Sequence, residues 1–140
     1  MVAASLERPL KDAAAQRGQT RVTWPNRVAR RLADRYGREA VEVARLSHDL
    51  DLAVPLGERI DHLQGEVAWA ARYELALSLD DVLARRMRLA QELPDRGASI
   101  APRVAAVLGA ELGWDESRQK VEVERYLETA RREYGLPWAG

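Results

Sequence analysis

Residues 66–90 read EVAWAARYELALSLDDVLARRMRLA, and this stretch decides the fold. Its first half is apolar on almost every face. Val67, Ala70 and Ala71 line one side, Trp69, Tyr73 and Leu77 recur at four-residue steps on another, and Ala68 and Leu75 fill a third. A helix apolar all round is a buried helix, so the spacing predicts a core helix over about 66–77. Its alanines permit close approach of neighbours, while Trp69 and Tyr73 supply large apolar areas with one polar handle each; with Trp114 they are the expected core aromatics. Ser78 then reads as an N-cap, with Asp80 and Asp81 in the positive first turn it opens. A second helix is expected from 79 to about 90 on the stripe Leu79, Val82, Leu83, Met87 and Ala90, with Arg85 four residues after Asp81 in the favourable order for an ion pair.

Helical patterns continue outward on both sides. Upstream, Val28, Leu32 and Tyr36 step by four after Asn26, a good N-cap, and Gly37 sits where a left-handed C-terminal residue belongs. A second helix is expected from about 38 to 47, followed by a loop over 48–57 punctuated by Pro55 and Gly57. Downstream, Ser99 is placed to cap a helix with Ile100, Val104, Val107, Leu108 and Leu112 on its inner side, and Pro102 falls in the tolerant first turn. Gly113 ends it. Asp115 caps a last helix with Val123, Tyr126, Leu127, Ala130 and Tyr134 inward, closed by Gly135 and Pro137. No segment alternates like a strand. The expected fold is all-α, a compact bundle of about six helices around a central buried helix pair.

The totals bound the function. One hundred and forty residues suit a single domain able to hold a core without staples. There is no cysteine, which removes disulfides, thiolate metal sites and a thiol nucleophile together. Lys plus Arg and Asp plus Glu both count 22, so no global charge recruits nucleic acid or lipid. The charge is unevenly spread, however. Residues 1–38 carry nine basic and three acidic side chains, a balance of +6 against −6 in the remainder. Residues 1–22 are small, polar and charged and read as a flexible basic arm, with a short helix conceivable over 10–17 and an extended approach over 22–25. The helical domain is expected over 23–140. The uncharged run 104–110 is too short to cross a membrane, and no signal peptide is visible. The expected location is the cytoplasm, with any membrane association at most peripheral.

Candidate chemistry is sparse. Arg85 and Arg88 could clamp an anion, but Asp81, Glu66, Glu74 and Glu92 offer nearer partners, and Arg86 falls on the apolar side of its helix. A buried arginine needs a carboxylate, and Glu74 on the preceding helix is the natural one. A structural ion-pair network of Glu66, Glu74, Asp81, Arg85 and Arg86 is the preferred reading. His48 with Asp49 and Asp51, and His62 with Glu66, each lack the further ligands a metal requires, so no metal is expected. The nine glycines form no dinucleotide or phosphate loop, and no serine sits in a nucleophile elbow. No catalytic residue is assigned. Arg27, Arg31 and Arg35 step by four along one face, a possible anion-binding face for phosphates or acidic lipid; the alternative is a solvated face neutralised within the fold.

Glu66-Val67-Ala68-Trp69-Ala70, then Glu74, then Leu79-Asp80-Asp81-Val82-Leu83-Ala84-Arg85-Arg86 form an ordered pattern, with Glu111-Leu112-Gly113-Trp114-Asp115 downstream and Arg35-Tyr36-Gly37 upstream. Together these blocks, over about 24–134, resemble the C-terminal helical domain of FAD-dependent glycerol-3-phosphate dehydrogenases and α-glycerophosphate oxidases. The resemblance implies an accessory cap domain with a structural or partner-docking role and no catalysis by itself. It implies that the FAD, the substrate site and the oxidation of glycerol 3-phosphate to dihydroxyacetone phosphate belong to a separate dehydrogenase domain, in cis or in trans, and that the chain reaches the inner face of a membrane only through that partner. His62, Gln64 and Gly65 depart from the family pattern, which tends to a tyrosine, an acidic residue and alanine there. The alternative function is a basic helical module binding nucleic acid or acidic partners.

Overall fold

A computed structural model describes residues 26–137. The expected arm over 1–22, the short helix over 10–17 and the extended approach over 22–25 lie outside the described residues. The described residues divide into two helical units, 26–66 and 67–137, with the boundary inside one helix. Among the described residues there are six α-helices and no strand, an all-α fold as expected.

In the first unit, α1 (Asn26–Tyr36) buries Val28, Ala29, Leu32 and Ala33. Gly37 follows at φ +57° and opens a tight 3-10 turn, Gly37–Glu39, which delays α2 to Ala40–Asp49. The loop after α2 folds back on itself: Pro55 and Leu63 form an isolated antiparallel bridge, and the Leu56 N–H donates to the His62 carbonyl at 2.9 Å. α3 (Gln64–Tyr73) starts against α2. A Cβ on Gly65 would overlap the Ser47 hydroxyl and stand 2.7 Å from the Ser47 Cα. Glycine is therefore required for the two backbones to approach this closely.

In the second unit, α3 buries Val67, Ala68, Trp69 and Ala70 in succession. It stops at Tyr73, four residues before the expected end. The Ala70 carbonyl accepts two N–H groups, from Glu74 at 3.0 Å and Ala76 at 3.1 Å, around Leu75 in the left-handed region at φ 59°. The chain is thereby turned out of the helix. Tyr73, expected in the core, is 63% exposed, with its ring 4.3 Å from that of Trp69. Trp69 itself is buried, and Trp114 is half-buried beneath the Arg118 guanidinium.

Ser78 caps the next segment, accepting the Asp81 N–H at 3.1 Å, while the Asp81 carboxylate accepts the Leu77 N–H at 2.9 Å. This is a variant of the reciprocal capping box. The segment is not the α-helix to residue 90 that the stripe predicts. Asp81–Arg86 is wound as a π-helix, with the Met87 N–H reaching back five residues to the Val82 carbonyl at 2.8 Å. Arg88 at φ 60° then breaks the chain before the short α4, Leu89–Glu92. α5 (Ala101–Leu112) and α6 (Glu116–Glu133) form a hairpin through Gly113, at φ 77°, and Asp115, whose carboxylate accepts the Arg118 N–H at 2.8 Å. Ser99 is not the cap of α5. Asp95 instead accepts the N–H groups of Gly97 and Ser99 in the turn that leads to it. α6 is tied down by two phenols: Tyr126 donates to the Arg96 carbonyl and Tyr134 to the Asp80 carboxylate, both at 2.6 Å.

Candidate functional site

Glu66 is the polar centre of the first unit. Its side chain has no exposed surface, and three donors converge on its carboxylate. The Arg31 guanidinium pairs with Oε2, the Leu63 N–H reaches the same oxygen at 2.5 Å, and the Tyr36 hydroxyl donates to Oε1 at 2.9 Å. α1 supplies Arg31 and, five residues on at its last position, Tyr36, and the end of the loop supplies Leu63. Burial, reinforced by the Glu66 charge, pushes the Tyr36 hydroxyl well above the usual phenol range, so it stays a donor. His62 lies beside this cluster. Burial first, then the charges of Arg31 and Arg35, hold its imidazole down at about 4, against the opposing pull of Asp61. A neutral His62 and a fully engaged carboxylate leave no acid–base pair poised for proton transfer.

The other expected network residues, Glu74, Asp81, Arg85 and Arg86, lie in the second unit. Arg85 is 74% exposed at its side chain and approaches Asp81 at 3.7 Å and Asp80 at 4.0 Å. Arg86, expected partly buried against the Glu74 carboxylate, is exposed; its Nη2 donates at 2.9 Å to the main-chain carbonyl of Glu74. The π turn explains the difference. One additional residue in the turn carries Arg86 out of the apolar stripe and leaves Met87 in it. Arg86 thus ties the π segment to the exit of α3 by donating to the carbonyl of the residue just beyond it. The ion pair from α3 that the spacing misses joins Arg72 to Glu111, at 2.7 and 3.0 Å.

The stripe on α1 does not present three unpartnered cations. Arg27 donates to Asp61 at 2.8 Å and Arg31 is turned to Glu66, while Arg35 lies exposed, 5.3 Å from the centre of the Tyr36 ring. Arg31 and Tyr36 could not be recognised as Glu66 partners from spacing, because they lie 35 and 30 residues away. The only trace was that Arg35-Tyr36-Gly37 and Glu66 belong to one ordered pattern.

No group of three or more histidine, aspartate or glutamate side chains among the described residues is gathered as a metal site. An open groove of about 460 Å³ between α5 and α6 has an apolar floor at Ala105 and Val123 and polar edges at Glu116, Gln119, Lys120 and Glu124. A flavin dinucleotide carries a pyrophosphate that needs converging N–H donors or several cations. Two carboxylates and one lysine do not supply them, so the groove does not fit that cofactor.

The model of the family described as the C-terminal domain of alpha-glycerophosphate oxidase matches residues 6–119. The chain belongs to this family. The match covers Glu66, the π segment and the α5–α6 turn, and it reaches into the segment before residue 22. Glycerol-3-phosphate dehydrogenase 2 of Mycobacterium tuberculosis is 43% identical over 104 residues, covering 74% of this chain and 18% of that protein. The glycerol-3-phosphate dehydrogenase of Mycobacterium leprae is 42% identical over 103 residues, 73% of this chain and 17% of that protein. The mitochondrial glycerol-3-phosphate dehydrogenase SDP6 of Arabidopsis thaliana is 38% identical over 104 residues, 72% of this chain and 16% of that protein. This member of the family therefore spans less than a fifth of the length of these relatives, as an accessory domain does. No solved structure matches. No helix among the described residues is long and apolar enough to cross a membrane.

Proposed function

We propose that this chain is the accessory helical domain of a FAD-dependent glycerol-3-phosphate dehydrogenase, docked in cis or in trans on the domain that holds the flavin. Oxidation of glycerol 3-phosphate to dihydroxyacetone phosphate is assigned to that domain, and a structural or docking role to this one. The observation that carries the reading is the use made of the charges in the family pattern. Glu66 is consumed by Arg31, Tyr36 and Leu63, and Arg86 by the Glu74 carbonyl, so these groups hold elements together and leave no reacting atom in reach. The reading places the chain in the cytoplasm, reaching a membrane only through its partner. It is preferred over a nucleic-acid module because Arg27 and Arg31 already face carboxylates.

The purified chain is expected to show no flavin absorbance and no glycerol 3-phosphate-dependent reduction of an artificial acceptor. Turnover by the chain alone would overturn the assignment. Exchanged for the matched segment of the Mycobacterium tuberculosis dehydrogenase, it is expected to leave that enzyme flavin-loaded.

A further inference from the structure

The five exposed large apolar side chains among the described residues are not scattered. Three of them, Tyr73 at 63%, Leu75 at 82% and Leu77 at 66% exposure, fall within one five-residue stretch. Isolated exposed leucines need no explanation, whereas contiguous ones on the scale of a few hundred Å² mark interaction sites. The stretch is also held rigidly. Tyr73 packs its ring on Trp69, the Ala76 N–H is fixed on the Ala70 carbonyl, the Leu77 N–H is fixed on the Asp81 carboxylate, and Arg86 clamps the Glu74 carbonyl. Leu75 occupies a left-handed conformation at φ 59° that costs a leucine and would cost glycine little. Strain at an exposed apolar residue, with the backbone held at Glu74, Ala76 and Leu77 on either side, is the arrangement of a preorganised contact.

We infer that Tyr73, Leu75 and Leu77 form the surface on which the flavin-bearing body of the dehydrogenase rests. The inference rests on the function proposed above and adds the place of contact. The occupant follows from size. A stable association of separate chains buries roughly 800 Å² on each partner, more than three side chains offer, which disfavours a second copy. Of the two arrangements proposed above the inference takes the one in cis, because domains of one polypeptide need less area when linkage supplies a high effective concentration. The matched relatives carry more than four fifths of their length outside the segment shared with this chain, and that remainder is the available occupant.

The test compares hydrogen exchange in the full chain alone with that in the Mycobacterium tuberculosis enzyme carrying this chain as its matched segment. Peptides over 73–79 are expected to exchange at least ~10-fold more slowly in the chimera. The double variant Leu75→Glu, Leu77→Glu is expected to abolish that protection while the isolated variant keeps its helical circular dichroism. Val121→Glu, exposed on α6, is expected to change nothing. A flavin-loaded chimera without protection at 73–79 would overturn the contact surface and leave the proposed function standing. A chimera that loses its flavin with the unaltered segment would overturn both. Protection of the same peptides in the concentrated chain alone, lost in the double variant, would name a second copy as occupant and overturn the inference.

Discussion

A carboxylate with no surface in water, Glu66, is balanced by one guanidinium, one phenol and one backbone N–H. Two Arg31 nitrogens, Nε and Nη1, are buried without an acceptor, so the cluster is costly and its geometry exacting. Glu66→Ala would strand the Arg31 charge and is expected to cost about 3 kcal/mol in urea unfolding; a double change to Arg31→Met, Glu66→Met is expected to recover part of that loss. His62 makes the unit sensitive to acid. Its imidazole is held at about 4 in the folded chain against 6.5 when unfolded. Between those values the unfolded chain binds a proton that the folded chain refuses, so stability falls as pH falls from 6.5 and levels off below about 4. The change is on the order of 3 kcal/mol, and it is read as the difference in pH dependence between the parent and His62→Gln. A His62→Gln variant with an unaltered slope between pH 7 and 4 would refute it.

At the scale of elements, two turns carry most of the design. Gly65 lets α3 start directly on Ser47, and Gly65→Ala is expected to cost about 1–3 kcal/mol by forcing them apart; thermal unfolding followed by circular dichroism would show it. Leu75 occupies the position that Gly135 holds after α6, where the Ala130 carbonyl likewise accepts from Tyr134 and Leu136 around a left-handed residue. One device is built twice, once with its preferred residue. Leu75→Gly is therefore expected to raise the stability of the isolated chain by up to about 1 kcal/mol, visible as a higher unfolding temperature. A lowered temperature would show that the leucine side chain serves the isolated fold. Caps formed within one turn were legible in advance: Asp115, Gly113, Gly37 and Ser78 act where their positions predict. The π winding was not, because apolar periodicity over 79–90 fits an α-helix and nothing local marks the inserted residue. The exit at Leu75 was hidden for a related reason, since leucine is a poor signal for a left-handed turn.

Across the whole molecule, the +6 balance of residues 1–38 offers either an anion-binding face or a face neutralised within the fold, and the described part of it favours the second. Arg27 and Arg31 are turned to Asp61 and Glu66, pairings some 35 residues apart that no periodicity encodes. Gel-shift and anionic-liposome assays at low salt are accordingly expected to show no retention of the full chain, and saturable binding in either would revive the basic-module reading. The all-α class and the family were legible because both depend on residues whose order survives without knowledge of their contacts. The candidate site was less so. The spacing points Arg86 to the Glu74 carboxylate, but its acceptor is the Glu74 peptide carbonyl, a group present at every residue and invisible in a sequence.

The wide turn at Asp81–Arg86 also changes what kind of damage this segment can absorb. It works as a phase shifter: five residues from Val82 to Met87 fill a turn that four would fill in an α-helix, so removal of one of them, Arg85 for instance, would leave ordinary α winding with Met87 still over Val82 and the later side chains in phase. The same deletion inside a regular helix such as α6 would rotate every later side chain by about 100°. Tolerance here is a matter of counting more than of chemistry, and a deletion scan should find its shallowest cost at this turn.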